Sequence, residues 1–170
     1  MSAESETGPR RPDIVLVDGR SGSGKTELAR AMVAQKPELQ LVRMDDLYPG
    51  WDGLEAGSRH VHDHLIAASV RRWQRWDWAD AAPAEWHVLD PHRPVLVEGC
   101  GALSRANRAL AVWAVWVELD EPTRRARVRA RDGDSWDDRW DDWAAQEDAF
   151  IARENPRDLA DSVIDGNEVL

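Results

Sequence analysis

The chain has 170 residues, 42% hydrophobic and 32% charged, which is the composition of one ordinary globular domain with a real core. A formal charge of −10 argues against nucleic acid or an anionic membrane surface as the main partner, so any bound anion must be captured by a local basic site. No apolar run approaches ~18 residues, the polar start lacks a signal-peptide core, and the single cysteine, Cys100, excludes an internal disulfide or a cysteine-built zinc site. The cytoplasm is the expected location.

Residues 1–12 read as a disordered leader with two prolines, and 13–170 as one domain. The run 14–17, "IVLV", is wholly apolar and β-branched in character, as a buried parallel strand requires. Residues 25–35 follow helical spacing through Leu28 and Met32, and Pro37 ends them. A second strand is expected over 39–44, then a turn broken by Pro49, Gly50 and Gly53. Residues 58–75 read as a helix and 76–93 as an irregular insertion. Further strands are expected over 94–101, 112–119 and 162–165. A short helix spans 103–110, an arginine-rich helix 122–131 and an acidic, tryptophan-rich helix 136–153. Alternation of this kind implies an α/β fold, a parallel sheet of about five strands with helices on both faces.

The stretch "DGRSGSGKTELA" opens where the first strand should end. Gly19, Gly24, Lys25 and Thr26 fit G-x-x-x-x-G-K-[ST], the phosphate-binding P-loop. Glycines let successive N–H groups of residues such as Ser21, Gly22 and Ser23 converge on phosphate oxygens, and the following helix aims its positive end at them. Lys25 would reach the β- and γ-phosphates of ATP, and the Thr26 hydroxyl would ligate Mg²⁺. Only one other lysine, Lys36, occurs in the chain. A P-loop specifies a nucleotide and leaves the reaction open among a small-molecule kinase, a GTPase switch and a motor-type ATPase. No N-K-x-D base-reading motif is present, and the length leaves no room for an oligomeric ATPase's extra helical domain.

Three features bear on that choice. Asp45 and Asp46 stand at the C-terminal end of the second strand, where open α/β sheets bind ligands. They read either as a carboxylate orienting an acceptor hydroxyl or as caps of a loop. Glu98 ends a strand and reads either as a Mg²⁺ carboxylate or as the partner of a nearby arginine. Arg124, Arg125, Arg127, Arg129 and Arg131 crowd one short helix and are followed by Asp134, Asp137, Asp138, Asp141 and Asp142. Their spacing spreads them around the helix, so some, Arg124 among them, are expected to be solvated. The pair of segments reads as a salt-bridged surface or as a mobile lid, about 124–140, whose arginines clamp phosphates.

In this order, "GRSGSGKT", "MDDLY", "RWDW", "VEGCGAL", "RARD" and "LADSVID" resemble the uridine kinase-like branch of the nucleoside and nucleotide kinase superfamily. The resemblance implies a P-loop NTPase fold with a small arginine-rich lid and an acceptor-side insertion over about 48–93. It implies that Asp45 acts as base on the acceptor hydroxyl and that Tyr48 lies on the acceptor side. Trp76, Asp77 and Trp78 fall at the acceptor pocket, Glu98 beside Mg²⁺, and Arg129, Arg131 and Asp132 in the lid. "PGWDGLEAG" stands where uridine kinases carry Y-D-F-D-H-P, so the acceptor is a nucleoside, a coenzyme precursor or another small alcohol.

Of the ten tryptophans, Trp136, Trp140 and Trp143 fall at helical spacing and read as core. Trp51, Trp73, Trp76, Trp78 and Trp86 lie in the acceptor-side region, where an acceptor ring could stack on one or two of them. His60, His62 and His64 alternate and are not read as a metal site. The expected protein is a monomeric or homodimeric enzyme that transfers the γ-phosphoryl of ATP, with Mg²⁺, to the hydroxyl of a small acceptor. The competing reading is a nucleotide-binding regulatory ATPase module that acts through a protein partner.

Overall fold

A computed structural model describes residues 12–169, so the leader expected over 1–12 lies, except for Pro12, outside the described residues. β1 (Ile14–Gly19) runs through the centre of the sheet and delivers the chain to α1 (Lys25–Gln35). β2 (Gln40–Arg43) follows, ending in a single 3₁₀ turn over Met44–Asp46. α2 (Leu54–His60) widens over Val61–Ile66 into i→i+5 bonding, as in Ala67 N–H to the His62 carbonyl. The chain then forms β3 (Arg72–Asp77) and β4 (Ala82–Val88), returns through β5 (Val95–Glu98) and turns in the short α3 (Arg105–Arg108). β6 (Trp113–Glu118), α4 (Glu121–Asp132), α5 (Asp137–Glu154), α6 (Pro156–Leu159) and β7 (Ser162–Asp165) complete it.

Five strands form one parallel sheet in the order β2-β5-β1-β6-β7. Side chains of β1 alternate between two apolar layers. Ile14 and Leu16 join Val42, Tyr48, Leu65, Leu103, Trp143 and Phe150 on one face. Val17 joins Ala29, Leu96, Val115 and Val117 on the other, where Leu28 and Met32 of α1 pack. The sheet therefore has α1 on one side and α2 and α5 on the other, as the alternation of elements predicts. Register pairs Val17 with Glu98 and Glu98 with Arg43, which brings the C-terminal ends of β1, β5 and β2 side by side. No helix among the described residues is long and apolar enough to cross a membrane.

The region 58–93 departs from the sequence-based expectation. The helix stops well short of residue 75, and the supposedly irregular insertion is an antiparallel hairpin of β3 and β4. A register shift between Gln74 and Trp76 explains the misreading. The extra residue stands on β4, between Pro83 and Trp86, and breaks the period of two there, while Trp73 and Trp76, three apart on β3, imitate helical spacing. His60 and His64 are four apart rather than scattered, and their rings lie 4.6 Å from each other, with Trp86 packed against both.

Candidate active site

The P-loop leaves β1 at Gly19 and closes on α1. Gly22 (φ 80°) and Gly24 (φ 104°) take left-handed conformations that suit glycine. A Cβ on Gly22 would stand 2.4 Å from the carbonyl oxygen of Arg124, so the turn also needs glycine for space. The Ser23 N–H donates to the Arg20 carbonyl at 3.1 Å and the Lys25 ammonium to the same oxygen at 3.3 Å. Burial opposes the charge on Lys25, yet Glu98, Glu147 and Asp45 around it hold the ammonium above its usual value. It is a fixed cation in a low-dielectric site.

Thr26 and Glu98, 72 positions apart in the chain, meet at the end of the sheet. The Thr26 hydroxyl donates to Glu98 Oε1 and Oε2 at 3.2 and 3.3 Å. Burial raises the Glu98 carboxyl, with Lys25 working against the rise. Arg43 bridges the two neighbouring acids, giving Nε to Glu98 Oε1 and Nη2 to Asp45 Oδ2, each at 3.2 Å. Asp45 itself is exposed, whereas Asp46 is half-buried and its carboxyl is raised by that burial. Beneath them Asp18 is fully buried. Its oxygens accept the N–H groups of Gly19 (2.7 Å), Gly101 (3.2 Å) and Leu103 (2.8 Å), and desolvation still pushes the carboxyl up to about 7.

Two cavities lie against these groups. One, of 400 Å³, runs between the P-loop and α4 and is lined by Gly22, Gly24, Lys25, Thr26, Arg127 and Arg131 among others. The other, of 620 Å³, is walled by Tyr48, Trp51, Trp78, Trp136 and Trp143, with Arg30, Arg43, Asp45, Arg131, Asp132 and Ser135 around it. Thr26, Glu27 and Arg131 line both, so the cavities share a border. Trp51 is the centre of the aromatic wall, with Trp78, Trp136 and Trp143 edge-on to it at 5.3, 5.0 and 6.5 Å. Gln146 fixes this wall by donating to the Trp51 carbonyl at 2.7 Å and accepting the Leu54 N–H at 3.3 Å.

The remaining sequence-selected residues divide. Tyr48 is buried, with its hydroxyl given to the Cys100 carbonyl at 2.6 Å and its ring against Trp143, so it supports the wall. Trp76 and Asp77 are not among the residues lining either cavity. Asp77 caps its own turn, accepting the N–H groups of Ala79 and Asp80, and pairs with Arg75. Trp78, one residue on, lines the larger cavity and donates its indole N–H to the Asp45 carbonyl at 2.9 Å. Arg131 borders both cavities and pairs with Asp132 at 2.7 Å. Arg129 instead points to solvent, tied to Asp134 and Asp137. Arg124 is a plain correction, since it is 3% exposed rather than solvated. It donates to the carbonyls of Leu119 (3.0 Å) and Ser21 (3.2 Å).

Trp136 and Trp143 do pack as their helical spacing predicts, but their faces also wall the larger cavity. Glu147 escaped notice altogether. It is the one acid on the apolar stripe Trp136, Trp140, Trp143, Glu147, Phe150, and that break in the pattern was its signal.

No protein-family model matches the chain. One curated relative, from Albidiferax ferrireducens and described as "Putative ribose/galactose/methyl galactoside import ATP-binding protein", is 27% identical over 156 residues. The match takes in 72% of this chain and 31% of the relative, so the chain spans less than a third of that protein's length. Among solved structures, a protein of Bacillus stearothermophilus described as a "Possible Uridine Kinase" superposes with a TM-score of 0.62. Identity is 20%, and 94% of this chain and 92% of that one are covered. A gluconokinase from Sinorhizobium meliloti 1021 superposes with a TM-score of 0.51 at 18% identity, over 95% of this chain and 89% of its own. With its strand order, its P-loop between β1 and α1 and these neighbours, the chain has the fold of the P-loop kinases.

Proposed function

We propose that the protein is an ATP-dependent kinase that transfers the γ-phosphoryl group to the hydroxyl of a small acceptor, with a nucleoside as the first candidate. The observation that carries the reading is the shared border of the two cavities at Thr26 and Arg131, with Asp45 on the aromatic side and Lys25 on the P-loop side. Phosphoryl transfer needs little covalent help from protein; it needs two substrates held in line and charge balanced between them. The smaller cavity has the backbone donors and Lys25 for phosphates, and the larger has a wall suited to the flat face of a ring.

Mg²⁺ fits the donors at Thr26 and Glu98. Among the described residues no three His, Cys, Asp or Glu side chains gather into a metal site, so the ion would rest on those two residues and the phosphates, which suits Mg²⁺. Bound there, it would neutralise charge on the β- and γ-oxygens. Asp45 would orient the acceptor hydroxyl and take its proton, and Arg131 would meet the charge of the transferring group. On this reading the enzyme works in the cytoplasm as a monomer or homodimer, and its charge of −10 speaks against nucleic acid or an anionic membrane surface as a partner.

Asp45→Asn keeps the side chain's shape and removes the proton acceptor. It should lower acceptor-dependent kcat by about 10²- to 10⁴-fold while ATP binding stays near normal. Asp46→Asn, at a half-buried position outside the cavity lining, should be milder. Near wild-type turnover in Asp45→Asn with loss in Asp46→Asn would reassign the acceptor base.

A further inference from the structure

We infer that Glu147 is a positioning residue for the P-loop, holding its leading edge so that the phosphate-facing amides converge. The carboxylate is 3% exposed and accepts hydrogen bonds on both oxygens. Oε1 takes the Ser21 N–H at 2.8 Å, the Ser21 hydroxyl at 2.9 Å and the Cys100 thiol at 3.2 Å. Oε2 takes the Arg20 Nε–H at 3.0 Å. Arg20 is itself held on α5 through the Ala144 carbonyl at 3.3 Å and Asp148 at 2.7 Å. From the opposite side, Arg124 of α4 donates to the Ser21 carbonyl.

Every polar group of Ser21 is thus fixed by one of the two helices that flank residues 133–136, immediately before the left-handed turn at Gly22. An apolar side chain at 147 would satisfy the stripe that Trp143 and Phe150 form, and would not carry the desolvation cost of a buried carboxylate. What the carboxylate adds is direction: two acceptor oxygens that set where residues 20 and 21 stand. The phosphate cradle begins at the next residue, and a displacement there moves all its donors together. This inference rests on the nucleotide half of the proposed function and is independent of the acceptor.

The test is calorimetric titration of the full chain with Mg²⁺ and ADP, beside thermal unfolding and steady-state kinetics. Glu147→Asp retains the charge opposite Arg20 and retracts it by one methylene. Glu147→Gln retains length and loses the charge. Each should weaken ADP binding by about ten- to a hundred-fold, the range for hydrogen bonds to a charged group. KM for ATP should rise with it while KM for the acceptor stays level. Ser21→Ala should weaken ADP binding less, and combining it with Glu147→Gln should add little, because Glu147 acts through Ser21. If Glu147→Gln does not fold, Glu147→Asp and Ser21→Ala decide. Folded variants that bind ADP as the wild type does would overturn the inference and leave the kinase reading standing. A wild-type protein that does not bind ADP would overturn both.

Discussion

Arg129 and Arg131 sit two positions apart on α4 and end in different surroundings. Arg131 borders both cavities, whereas Arg129 is exposed and committed to Asp134 and Asp137. A guanidinium on the transferring phosphoryl group acts mainly in the transition state. Arg131→Ala should therefore lower kcat by about 10²-fold with a smaller change in ATP affinity, and Arg129→Ala should stay within about twofold of wild type. Equal losses at both positions would restore the idea that the whole "RARD" segment clamps phosphate. At this scale the sequence was legible where a residue belongs to a local motif. Lys25 and Thr26 stand in the P-loop pattern, and the sheet brings Glu98, at the end of β5, beside both. The burial of Arg124 could not be read, because one of its two carbonyl partners, that of Ser21, is 103 positions away. Of the "WDW" segment expected at the acceptor pocket, Trp78 lines the larger cavity and Trp76 and Asp77 do not, a choice that the sequence pattern does not announce.

Among the elements, the β3–β4 hairpin is held to α2 by a titratable contact. His60 Nε2 accepts the Gln74 N–H at 3.1 Å, and its ring stacks on Trp86 of β4 at 5.7 Å. Burial, aided by the neighbouring His64, lowers its pKa from 6.5 to about 4. In the window between those values the unfolded chain binds a proton that the folded protein refuses, so stability falls as pH falls. The His60 contribution is complete above 6.5 and is lost through about 4. Asp18 works in the opposite sense, since its raised carboxyl makes its contribution decline as pH rises from 3.8 to about 7. A His60→Gln substitution leaves Asp18 in place, so comparison isolates the histidine. Between pH 7 and 4.5 the wild-type Tm should drop more steeply than that of His60→Gln. Parallel curves would mean that the histidine is not what ties hairpin to helix. Elements with an unbroken period, β1, β6, α1 and α5, were legible to within a few residues. The hairpin was not, because its one bulge removed the alternation on which a strand is recognised.

For the molecule as a whole, the order β2-β5-β1-β6-β7 gathers the ends of β1, β2 and β5 at one edge, and both cavities open there. A chain of charge −10 can hold a polyanion at this edge because Lys25, Arg43, Arg127 and Arg131 are concentrated around the cavities. Sequence alone made the parallel sheet and the nucleotide loop legible, since each is a local pattern. The aromatic wall is assembled from residues 48, 51, 78, 136 and 143, and no local pattern announces such a convergence. The central claim, that this wall receives an alcohol and the P-loop a nucleotide for transfer between them, is tested most directly by ADP release. ATP and Mg²⁺ would be supplied with each member of a panel of nucleosides, sugars and coenzyme-precursor alcohols, and products followed by ³¹P NMR. At least one alcohol should raise ADP formation by about 10²-fold or more over the acceptor-free rate, with one phosphate monoester formed per ADP, and Lys25→Met should abolish both. ADP formation that no alcohol changes and that yields only inorganic phosphate, responding instead to a protein partner, would contradict the account.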